Sequence, residues 1–186
     1  RHLPPTVPER EGIVDRSRLL AIQGRTRREQ MDLAASIGID YPTPAGGCLL
    51  TEAAFTPKLR DLFAHRERPS IEEARLLRFG RHFRLSDATK VVVGRDAEEN
   101  GALGRFSGPR FVRVEPENFP GPSALIEGEA TEEAFAFAGE AILRYANKAD
   151  RADAWVRVAG GAGEARRWKV ARAADEAALD RVRVGG

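Results

Sequence analysis

The segment GRHFRLSDATKVVVGRDAEEN, Gly80–Asn100, constrains the fold most. Two short β-prone runs, His82–Leu85 and Lys90–Gly94, flank Ser86–Thr89, a link of turn-forming length and composition, so a β-hairpin is predicted. Asp96 followed by Glu99 then supplies the side chains that cap a helix running to about Leu103. A hairpin that leads straight into a capped helix commits the chain to a mixed architecture.

The rest of the sequence extends that reading. Further strand candidates are Arg110–Val114, Ser123–Ile126, Ala154–Val158 and Arg167–Ala171. The long helix is Thr131–Asn147, with Phe135, Phe137, Ala138, Ile142, Leu143 and Ala146 crowding one side. A short helix near Asp175–Leu179 precedes a terminal extended segment.

Upstream the texture differs. A proline-rich lead-in occupies the first twelve residues, and Asp15–Ile22 is a short helix candidate. Thr26 and Glu29 form a capping-box pattern for a helix to about Ile37, stopped by Gly38. Asp40–Gly47 is a Pro/Gly loop, and Thr56–Pro57 reads as a cap followed by proline at the first helical position. Ser70 and Glu73 repeat the capping box before Ala74–Phe79. The expected fold is α+β: a connector of short helices over residues 1–78, then a mainly antiparallel sheet packed with one long helix over 79–186.

Composition narrows the function. No apolar run approaches the roughly 18 residues of a membrane span, so no membrane role is expected and a reducing cytoplasm fits. Cys48 is the only cysteine, which excludes an intramolecular disulfide, and His2, His65 and His82 are scattered; no metal site is expected from this spacing. No Walker loop is present, and Gly160–Gly163 lacks the Lys-Ser/Thr that such a loop needs. The sequence opens at Arg1 on LPPTVPEREG, which reads as a linker, so the C-terminal part of a longer protein is expected.

Charge clusters locally although the net charge is only +2. Arg75, Arg78, Arg81, Arg84, Lys90 and Arg95 face a single acid, Asp87, within that stretch. Such clustering supplies salt-sensitive affinity for phosphates, with Arg81, His82, Arg84, Lys90 and Arg95 as the candidate contacts. Arg25, Arg27 and Arg28 at a helix start form a second candidate group, against a solvated basic helix end. Phe79, Phe83 and Phe106 read as bases' stacking partners or as core, and Trp155 and Trp168 first as sheet packing. Glu127–Glu133 reads as a solvated acidic turn. In PAGGCLLT, Pro44–Thr51, Cys48 is either a reactive thiolate on a bendable backbone or a small buried hydrophobe beside Leu49 and Leu50.

VVGRDAEEN (Val92–Asn100), the preceding FRLS and the later RYANKAD…AWVRV (Arg144–Val158) resemble the NFACT-R class of RNA-binding domains. GRTRREQMDLAASIGIDYPTPAGGCLLT (Gly24–Thr51) with FGRHFRL (Phe79–Leu85) resembles the C-terminal half of PP-loop tRNA thiouridylase-like proteins. The second resemblance implies a tRNA partner, ATP used by a PP-loop pyrophosphatase domain in cis or in trans, and sulfur insertion by the whole protein. It makes Cys48 a sulfur carrier or an iron–sulfur cluster ligand. The SGGxDS-type ATP loop of those proteins has no counterpart in these 186 residues, so this stretch alone is not expected to adenylate RNA. The alternative is a stand-alone RNA-binding protein acting on tRNA or ribosome-linked RNA, without catalysis.

Overall fold

A computed structural model of the chain describes residues 4–22, 27–39, 52–146, 153–161 and 163–185. Its contacts divide the chain into two compact units, 1–46 and 47–186.

The first unit holds α1 (Val7–Arg10), a 3-10 turn at Arg16–Arg18 and α2 (Arg28–Ser36). None of its described residues is buried. The helix expected over Asp15–Ile22 is only that turn. Asp15 accepts hydrogen bonds from the Ser17 amide (2.9 Å) and hydroxyl (2.6 Å), a local arrangement that competes with helix propagation.

The second unit is α+β. Its helices are α3 (Phe55–His65), α4 (Ile71–Leu76), α5 (Ala97–Leu103), α6 (Glu132–Tyr145) and α7 (Glu176–Val182). Its strands are β1 (Arg81–Arg84), β2 (Thr89–Val93), β3 (Phe111–Pro116), β4 (Ala124–Gly128), β5 (Ala154–Gly160), β6 (Gly163–Val170) and β7 (Arg183–Val184). They form one sheet in the order β6-β5-β3-β4-β2-β1-β7, and every pairing is antiparallel. Helices α3 and α4, which the sequence assigns to a connector, lie in the same compact unit as the sheet.

The capping signals read from the sequence act at α4 and α5, and Thr131, read as the first residue of the long helix, is the cap of α6. Ser70 and Glu73 exchange bonds across α4, Asp96 accepts from the Glu99 amide at 2.9 Å, and Thr131 from the Ala134 amide at 3.2 Å. Helix α3 differs, because it starts at Phe55 and Pro57 is its third residue. Proline is tolerated there since first-turn amides have no intrahelical acceptor.

Strand alternation sends side chains to two faces. One face meets α6, where Phe83, Val91, Val93, Val112, Val114, Ile126, Val156 and Val158 join Phe135, Ala138, Ile142 and Leu143 in the main core. Each Val, Ile, Leu or Phe among them contributes about 1.5–3 kcal/mol when fully buried. The opposite face is covered over β2 and β4 by α4 and α5, through Leu76, Val92, Leu103, Phe111 and Leu125. Towards β5 and β6 that second face lies open, with Arg157, Arg167 and Lys169 exposed.

Candidate nucleic-acid interface

The hairpin register pairs Arg81 with Val93, His82 with Val92, Phe83 with Val91 and Arg84 with Lys90. Phe83, Val91 and Val93 face α6, so His82, Arg84 and Lys90 point to the helix-covered side. That burial decides their chemistry. Lys90 is fully buried, and its Nζ lies 2.7 Å from Oε2 of the equally buried Glu127. His82 is buried with Nε2 2.8 Å from the Phe79 carbonyl. Burial, together with the charges of Lys58 and Lys90, holds the His82 ring well below its ordinary pKa and therefore neutral. Arg84 makes a two-pronged pair with Asp61, at 2.9 and 2.6 Å. Three of the five basic side chains expected to grip phosphate, His82, Arg84 and Lys90, are thus turned inward and engaged within the protein. Glu127 likewise is the buried partner of Lys90 rather than part of a solvated turn.

Lys58 of α3 enters the same polar interior. Its Nζ donates to the carbonyls of Gly80 (2.9 Å) and Leu77 (3.3 Å). Burial, and next the nearby Arg95 charge, push its pKa down to about 8.

Arg81 and Arg95 remain outward. The Arg81 guanidinium lies 4.4 Å from the centre of the Tyr145 ring and donates to the Gly94 carbonyl at 3.3 Å. Arg95 hydrogen-bonds Glu99 yet keeps 47% of its side chain exposed. Both line a cleft of about 310 Å³ with Tyr145, Asn100 and the Pro120–Pro122 loop.

The rest of the GRDAEEN motif builds this corner. A Cβ on Gly94 would sit 2.1 Å from Asn100 Oδ1, which accepts from the Ser123 amide at 3.1 Å. Glu99 collects the amides of Gly80 (3.2 Å) and Arg95 (2.8 Å). Burial opposes its ionisation, but the bonds from Arg95 and Gly80 hold it below the usual carboxylate range. Gly80 itself has φ +67°, and a Cβ there would meet Val92 Cγ1 at 2.6 Å.

Elsewhere, Arg27 and Arg28 are exposed at the start of α2. Arg25 and Cys48 lie outside the described residues. Among the described residues no group of three His, Cys, Asp or Glu side chains is placed to hold a metal ion, and no helix is long and apolar enough to cross a membrane.

One exposed group escaped the sequence reading. Trp155 is half-buried on the open sheet face, with the Arg167 guanidinium 4.6 Å and the Lys169 ammonium 5.8 Å from its ring centre. Arg157 stands opposite Arg167 in the register. The signal was present in AWVRV and RRWKV, where Trp155 and Arg157, and Arg167 and Lys169, share the parity opposite to the buried Val156, Val158 and Val170. Trp168, on the other parity, packs on Phe135 at 5.7 Å, as expected of sheet packing.

No curated protein matches the chain in sequence. Among solved structures, the C-terminal part of the fibronectin/fibrinogen-binding protein from Streptococcus suis is similar, with 13% identity and a TM-score of 0.46. The alignment covers 70% of this chain and 61% of that one. The family model described as NFACT protein RNA binding domain matches residues 80–181, more than half of the 186. That span runs from β1 into α7, and on its strength the chain belongs to the NFACT RNA-binding domain family.

Proposed function

We propose that the chain binds structured RNA, with tRNA as the partner, and serves as the RNA-holding part of a sulfur-insertion protein. RNA binding is carried by the family match over residues 80–181. On that domain Arg95, exposed, and Arg81, half-buried at the cleft, are cations of this stretch that reach the surface. Stacking on Tyr145 holds the Arg81 guanidinium in place, so less side-chain freedom is lost when a phosphate docks. Trp155 with Arg157, Arg167 and Lys169 adds a second exposed group suited to backbone and base contacts.

The sulfur-insertion reading rests on the resemblance of Gly24–Thr51 to thiouridylase-like proteins. In it Cys48 bears the sulfur, Arg25, Arg27 and Arg28 face the tRNA or the ATP-using domain, and adenylation belongs to that other domain. An iron–sulfur cluster does not fit the residues in hand: a cluster takes about four thiolates, and this chain supplies one cysteine.

The test is tRNA affinity across a salt series for the intact chain and an Arg81→Ala/Arg95→Ala variant. The variant should bind more weakly with a shallower salt slope, by up to about one unit per phosphate contact removed. Equal slopes would remove these two residues from the interface. For the sulfur reading, Cys48→Ser in the full-length protein should abolish thiolation and leave tRNA affinity unchanged.

A further inference from the structure

The cations that the sequence clusters between Arg75 and Arg95 do not form one patch. Arg81 and Arg95 border the Tyr145 cleft, whereas Arg75 and Arg78 turn to a separate groove between α4 and α5. This groove measures about 280 Å³. Its floor is Phe79 and Phe106, half-buried rings set edge to face with centres 6.2 Å apart. Phe106 rests in turn on Phe111 at 5.7 Å, which is 6% exposed, so the floor is anchored in the second core.

Arg75, Arg78 and Arg105 rim the groove, and all three are exposed. Among the described residues none of them has a carboxylate within the 4.0 Å of an ion pair. Among the described residues the one acid lining the groove is Glu72. Three guanidinium groups around one concavity raise its potential, and a bound anion relieves their mutual repulsion. An aromatic floor under a cationic rim suits a ligand that is flat and apolar at one end and anionic at the other. The volume lies just below the range of ligand pockets, about 300–1,000 Å³, a size for at most one nucleotide and far too small for a duplex.

We propose that the α4–α5 groove takes a single unpaired nucleotide of RNA, its base against Phe79 and Phe106 and its phosphates held by Arg75, Arg78 and Arg105. The proposal rests on the RNA-binding reading and adds to it a preference for RNA that offers an unstacked base.

The experiment compares two RNA hairpins that differ only by one bulged nucleotide. Each is titrated with the intact chain, with Arg75→Ala/Arg78→Ala/Arg105→Ala, and with Arg81→Ala/Arg95→Ala. The intact chain should favour the bulged hairpin about tenfold. The triple variant should lose that preference yet still bind the uninterrupted hairpin, and the double variant should weaken on both RNAs with the preference intact. The triple variant alters only exposed side chains, and its circular dichroism and melting should match the intact chain.

Equal binding of both hairpins by the intact chain, or a preference retained by the triple variant, overturns the groove assignment and leaves RNA binding standing. Failure of the intact chain to bind either hairpin overturns the RNA reading itself. A titration with adenosine 5′-monophosphate, followed through the Phe79 and Phe106 ring resonances, separates the sources of the ligand. Ring shifts with the mononucleotide but no bulge preference would make this a free-nucleotide site and overturn its assignment to RNA.

Discussion

Lys58 shows how one buried cation writes itself into stability. Its pKa falls from 10.5 to about 8, through burial first and the neighbouring Arg95 second. Below pH 8 Lys58 is charged in both folded and unfolded chains, and the penalty of burying that charge is fully present. Between pH 8 and 10.5 the folded chain has released the proton while the unfolded chain still holds it. The unfolded state then binds more protons, so stability rises with pH across this window and levels off above it. The full swing is about 3 kcal/mol. Lys58→Met removes the titration and leaves the Leu77 and Gly80 carbonyls without their donor at every pH. Urea unfolding of both proteins from pH 7.5 to 10 should show the wild type gaining on the variant as pH rises. Parallel curves would mean that Lys58 titrates alike in both states.

At the scale of elements, the junction from β2 to α5 is specified by contacts that leave no room for a side chain at Gly94. The Gly94 amide donates to the Ser123 carbonyl at 3.0 Å while Asn100 Oδ1 takes the Ser123 amide, so strand, helix and the run into β4 close on one another. Gly94→Ala places a methyl where Asn100 Oδ1 stands and should cost about 1–3 kcal/mol by overpacking. Asn100→Ala removes the obstacle, so the double variant should be no less stable than Asn100→Ala alone, a non-additivity that a double-mutant cycle reads directly. These elements were legible in the sequence because their signals are local: the caps at Ser70 and Asp96, the Ser86–Thr89 turn, and the apolar side of α6. The site was less legible because burial on the second sheet face is not local. His82 and Lys90 share a face with Arg157 and Arg167, and only the helices packed over the β1–β2 end separate buried cations from exposed ones. Strand parity tells which side a residue takes. It does not tell whether a helix will cover that side.

At the scale of the whole chain, the buried hydrophobic side chains among the described residues all fall between Leu62 and Leu179. The described residues of 1–46 bury none, although Val7, Ile13, Leu20 and Ile37 are apolar. Apolar burial is the dominant favourable contribution to folding, so cooperative unfolding of the chain should report on residues 47–186. A chain reduced to 47–186 should therefore melt within about 2 °C of the intact one, since a shift of 4–8 °C per kcal/mol is typical of small domains and about 2–4 °C of larger ones. RNA affinity then separates the two groups of arginines. If Arg25, Arg27 and Arg28 contact RNA, the shortened chain should bind tRNA more weakly and with a shallower salt slope, at unchanged melting temperature. If they face another domain, affinity and slope should match those of the intact chain, and the RNA-binding surface would lie wholly on the sheet unit.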